Sequence, residues 1–101
     1  MSFAWSLHNF DTSFQFHGDL TFQIILDAKA IFGSVRDCGA ETVTLDLGRV
    51  KRCDSFGLDM IRALQHRARK SGQRCVVANA SASVVDLARL ARLDQVLSAD
   101  N

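Results

Sequence analysis

The chain has 101 residues, of which 48% are hydrophobic, and a formal net charge of +1. That length suits one domain around one core, the apolar content excludes a disordered chain, and near-neutrality argues against a nucleic-acid binder. No run approaches the 18 apolar residues of a membrane span, and MSFAWSLHN lacks the basic region and apolar core of a secretory leader, so direct membrane insertion is not expected.

The opening alternates. Phe3, Trp5 and Leu7 fall on one face of a strand with Ser6 and His8 on the other, and Phe14 and Phe16 repeat the pattern against Gln15 and His17. The polar NFDTS between them permits a hairpin. Gly18 ends the second strand, and either Asp19 or Thr21 caps a helix whose core stripe is Phe22, Ile25, Ala28, Phe32 and Val35. Asp37, Cys38 and Gly39 mark its end.

TVTLDL, Thr42 to Leu47, reads as a buried strand, with GRVKRC as the connection after it. Leu58, Ile61, Leu64 and Ala68 form the stripe of a second helix, with Arg62, His66, Arg69 and Lys70 outward and Gly72 closing it. Arg74 to Ala78 is the next strand and NAS a turn. Ser81 or Ser83 caps a third helix carrying Val84, Leu87, Ala88 and Ala91, and Leu93, Val96 and Leu97 dock behind it. Strands alternating with helices predict an α/β domain over residues 1–101, with a mainly parallel sheet, an N-terminal antiparallel hairpin and helices mostly on one face. The other face is then either partly open or covered by the N-terminal strand and a partner.

The chemistry-bearing residues are sparse. Cys38, Cys53 and Cys75 form an odd set without a C-x-x-C pair, which predicts reduced, largely buried thiols and a cytoplasmic location. No short Cys/His spacing suits a metal, and no glycine-rich loop suits a phosphate cofactor, so neither is expected. A serine nucleophile needs a histidine within reach, yet His66 lies about 16 Å along the helix from Ser55. No catalytic residue is expected. Residues 49–74 hold eight basic side chains against Asp54 and Asp59, which is either a solvated face or a surface for a partner or anionic membrane.

The stretch CDSFGLD sits at a strand-to-helix turn. Asp54 can cap the helix, Ser55 takes its first position, Phe56 can pack on a neighbouring loop, and Gly57 allows another element to approach. The same geometry favours a phosphate in the first turn. Phosphorylation of Ser55 would set about two negative charges beside Asp54 and Asp59, changing what can dock there.

TVTLDLGRVKRCDSFGLDMIRALQHRARKSGQRCVVANASASVVDLARLARLDQVL resembles a STAS domain, the fold of bacterial anti-sigma factor antagonists. The family's Asp-Ser/Thr-x-Gly-Leu falls here on Asp54, Ser55, Gly57 and Leu58. HGDLTF resembles its Gly-Glu-Leu signature, with Asp19 in place of Glu. The resemblance implies a non-enzymatic docking protein in which Ser55 is the regulatory phosphoacceptor.

Two partners follow from two branches of that family. The favoured one is the ATPase of an Mla-type phospholipid ABC transporter, with this chain as a small accessory subunit at the inner face of the membrane. Thr21 in place of Asp, and an end soon after LDQVL, lean that way. The alternative is an anti-sigma factor serine kinase in a phosphorylation-controlled partner switch. On either branch the expected docking surface is Ser55, Phe56, Asp59, Met60, Arg62 and Ala63, with the loop Asn79 to Ser81 beside it. Phe56 and Met60 are either its apolar anchors or core residues.

Overall fold

The computed structural model describes residues 2–8 and 11–97, with side chains described for 12–23 and 26–97. Four strands, β1 (Ser2–His8), β2 (Asp11–Leu20), β3 (Thr42–Cys53) and β4 (Arg74–Ala78), make one sheet in the order β1-β2-β3-β4. β1 runs antiparallel to β2, pairing Trp5 with Phe14, and β2, β3 and β4 are parallel. Parallel neighbours need crossovers. These are α1 (Ile25–Asp37), entered through a 3-10 turn at Phe22–Ile24, and α2 (Ser55–Lys70); α3 (Ala82–Leu90) and a 3-10 turn at Asp94–Leu97 follow β4. The hairpin turn at residues 9–10, the shared face of Phe3, Trp5 and Leu7, and Ile25 in the helix stripe lie outside the described side chains.

Strand alternation sorts the sheet into two unlike faces. Phe14, Phe16, Val43, Leu45, Leu47 and Cys75 are buried toward the helices, while Ser13, Gln15, Thr42, Thr44, Asp46, Val76 and Ala78 on the other face are only half-buried. The helices answer with Ile31 and Val35 from α1, Leu58, Ile61, Leu64 and Ala68 from α2, and Val84 and Ala88 from α3, with Val96 behind them. One helical layer on one face of the sheet is the result. β1 lengthens the sheet at its edge and does not cover the open face.

Several boundaries differ from the sequence reading. GRVKRC is strand, not connection: β3 continues to Cys53, with register shifts against Gln15/His17 and Gly18/Asp19. The alternation breaks because Gly48 and Arg49 are both exposed before Val50 turns inward, and an extra residue at a bulge resets the pleat in this way. Gly18, at φ +88, likewise sits inside β2 at such a shift and does not end it. Phe22 is 59% exposed and belongs to no core stripe. Its amide is bonded by Asp54, a role expected of Asp19 or Thr21 at this helix start. Ala91 is exposed at the end of α3. Ser81 occupies the N-cap of α3 without a side-chain cap bond, and the Ser83 hydroxyl donates to the Lys51 carbonyl at 2.8 Å. Among the described residues no helix is long and apolar enough to cross a membrane.

Candidate functional site

The head of α2 is built by one carboxylate. Asp54 has the extended backbone of an N-cap, and its Oδ1 accepts the Gly57 amide at 3.0 Å. Its Oδ2 accepts the Phe22 amide at 2.8 Å, so the entry to α1 is tied to the entry to α2. The Asp54 amide in turn donates to the Leu20 carbonyl at 3.2 Å. Losing a carboxylate that satisfies two amides should cost about 1–2 kcal/mol. The Asp54→Ala variant is therefore expected to melt roughly 5–10 °C lower, read by thermal denaturation, with Asp54→Asn recovering part of the loss.

Gly57 is fixed by contact rather than by backbone angle. A Cβ there would run into the Leu20 carbonyl oxygen, with the carbonyl carbon at 2.7 Å and Leu20 Cγ at 2.8 Å. The end of β2 thus lies directly on the first turn of α2, an approach only glycine permits.

Ser55 is exposed at the first position of the helix, above this braced turn. Phe56 is 55% exposed, which resolves it as a surface residue and not a core one. Met60 goes the other way. At 7% exposure it packs into the core, because positions 57, 58, 60, 61, 64 and 65 make the inward face of α2, and it offers no anchor to a partner. Asp59 and Arg62 are exposed and approach to 3.7 Å, and Ala63 is half-buried beside them.

The described hydrogen bonds donated by the Asn79–Ser81 loop run to β3 and not to Ser55. Asn79, at φ 56, reaches Asp46 at 3.5 Å and its backbone closes over Gly48; the Ser81 amide donates to the Leu47 carbonyl. β4 ends beside Asp46, while β3 runs on to Cys53, so the two strand-to-helix connections leave the sheet at different heights. The Ser81 hydroxyl is buried without a hydrogen-bond partner among the described residues.

Two exposed apolar residues were not read as such from the sequence: Phe22, tied through its amide to Asp54 at the head of α2, and Leu26, one turn further along and 87% exposed. Their helical spacing from the core residues made Phe22 look like part of a stripe.

Cys53 and Cys75 are poor nucleophiles. Burial, reinforced by Asp54, pushes Cys53 up to about 11; burial pushes Cys75 up to about 12 against the opposing pull of Arg69. Cys75 is buried, whereas Cys38 and Cys53 are only half-buried. Because folding favours the neutral thiols, their stabilisation is intact below an ordinary thiol pKa and is lost as pH rises through the raised values. The chain has no tyrosine to titrate in that window. The urea midpoint is expected to fall between about pH 9 and 11, and less steeply in Cys75→Ala. Among the described residues no group of His, Cys, Asp or Glu could hold a metal.

The family described as "Mlab, STAS domain" matches residues 17–98. The chain belongs to the STAS domain family. None of the curated proteins matches it in sequence. Among solved structures it is similar to the Thermotoga maritima protein TM1081, at 21% identity and a TM-score of 0.81, covering 95% of this chain and 83% of that one. It is also similar to the Bacillus anti-sigma factor antagonist SpoIIAA in its unphosphorylated form, at 14% identity and 0.76 over 96% and 86% of the two chains. A sulfate transporter family protein from Wolinella succinogenes shares the fold at 14% identity and 0.72 over 92% and 75%. In this fold the turn at Asp54–Gly57 sits at a helix start at the end of a parallel strand.

Proposed function

We propose that this STAS domain is a non-enzymatic docking module whose partner binds over the head of α2, and that phosphorylation of Ser55 turns the binding off, as in an anti-sigma factor antagonist. The observation that carries this reading is Ser55 exposed at the first helical position beside uncovered Phe56 and Phe22, above a turn held from beneath by Asp54 and Gly57. The partner on this reading is an anti-sigma factor serine kinase, which supplies the phosphate. SpoIIAA, similar in fold, exists in unphosphorylated and phosphorylated forms, and this chain matches both, at TM-scores of 0.76 and 0.70.

The switch works through charge at an apolar contact. A phosphate would add about two negative charges and three acceptor oxygens where a partner must desolvate Phe56 and Phe22. Asp59, one turn along and already paired with Arg62, adds like charge. Nothing in the turn itself has to move, since Asp54 faces the amides of Gly57 and Phe22. Ser55→Asp is expected to weaken binding to the purified partner about tenfold or more, with a melting temperature within a few degrees of wild type. Equal affinity in a calorimetric titration would reject the regulatory role.

The second reading, an accessory subunit bound to the ATPase of an Mla-type phospholipid transporter, is favoured by the description of the matching family. It uses the same surface and the same cytoplasmic setting. The two readings part at the partner: a serine kinase or an ABC ATPase.

A further inference from the structure

Away from the head of α2, its last two turns and the end of α1 enclose a hollow of about 200 Å³. The floor is apolar, made by Phe32 and Val35 of α1 and Leu64 and Ala68 of α2. Arg36, Arg67 and Lys70 stand around its rim. The Arg67 guanidinium lies over the Phe32 ring at 4.5 Å from its centre, which holds one cation at the mouth of the hollow.

We propose that this hollow is a binding site for a small amphipathic anion, an apolar group bearing a carboxylate or phosphate, separate from the docking surface at Ser55. Size limits the apolar part: an apolar cavity of about 150 Å³ takes one benzene ring, and drug-sized ligands need about 300 Å³ or more. A single ring or a short alkyl end therefore fits. Charge sets the polar part. Three cations face the mouth and Asp37, paired with Arg36 at 2.9 Å, offsets one of them. The ends of α1 and α2 each add about half a negative charge, and the carbonyls ending α2 are already taken by the amides of Ser71, Gly72 and Gln73. The sum remains positive. A neutral amphiphile would leave those cations unanswered and an acid would not.

The probes are 4-phenylbutyrate and its neutral counterpart 4-phenylbutanol, titrated into the full chain and followed by amide chemical shifts. Expected are saturable shifts at Val35, Ala68, Ser71 and Gln73, with the acid bound at least about fivefold more tightly than the alcohol. Arg67→Glu should abolish that preference, while Lys51→Glu, the same change of charge on an exposed part of β3, should keep it. Equal binding of acid and alcohol, shifts centred elsewhere, or no saturable shift overturns the site. So does an acidic aromatic peptide that moves these amides where phenylbutyrate does not, since the occupant would then be a protein segment.

Discussion

Gly57→Ala is expected to lose about 3 kcal/mol or more of stability and to melt roughly 12–20 °C below wild type. The reason is local and severe. A methyl group at this position enters the Leu20 carbonyl, a backbone group that cannot rotate away, and meets Leu20 Cγ at 2.8 Å. Leu20 is itself fully buried, and its carbonyl also accepts the Asp54 amide. Relief would require β2 and α2 to separate, which breaks the bracket that Asp54 forms with Phe22 and Gly57. Overpacking against side chains usually costs less because they can repack. A melting temperature within a few degrees of wild type would mean the two elements do not lie this close in solution.

The second large effect concerns binding. Phe56→Ala is expected to reduce partner affinity by about thirtyfold, the effect of losing an aromatic hot spot, while changing stability by no more than about 0.5 kcal/mol. Its ring is more than half exposed at the second position of α2, so the fold gains little from it. Phe22→Ala should act in the same direction, because its backbone bond to Asp54 places it by the same turn and survives the substitution. A variant that binds as wild type does would move the docking surface elsewhere. One that fails to fold would return Phe56 to the core.

Much of this architecture was legible in the residues. β4 was read to its ends, and the inward stripe of α2, Leu58, Ile61, Leu64 and Ala68, is buried throughout. Asp54 as a cap follows from local chemistry, since that bond closes within one turn of the chain, and Gly57 could be read as a point of close approach although its neighbour, Leu20, was not identifiable. What was not legible depended on contacts distant in sequence. The Phe22 amide is satisfied across 32 residues by Asp54, so no local cap signal marks the start of α1. The extension of β3 through GRVKRC is hidden by a bulge that breaks alternation, and pairing with β2, not propensity, keeps it a strand. Met60 and Phe56 have similar apolar character and stand four residues apart on nearly one face of α2, so no local pattern distinguishes the buried one from the exposed one.

The central claim is that one surface, the head of α2, holds the partner and that Ser55 controls it. The most direct measurement is affinity purification with wild type, Ser55→Asp and Phe56→Ala side by side, with retained proteins quantified by mass spectrometry. The expected result is a protein retained by wild type and reduced about tenfold or more on both variants, all three baits remaining folded. If that protein is a serine kinase the antagonist reading stands, and if it is an ABC ATPase the transporter reading replaces it. Equal retention by the three baits would contradict the docking surface itself.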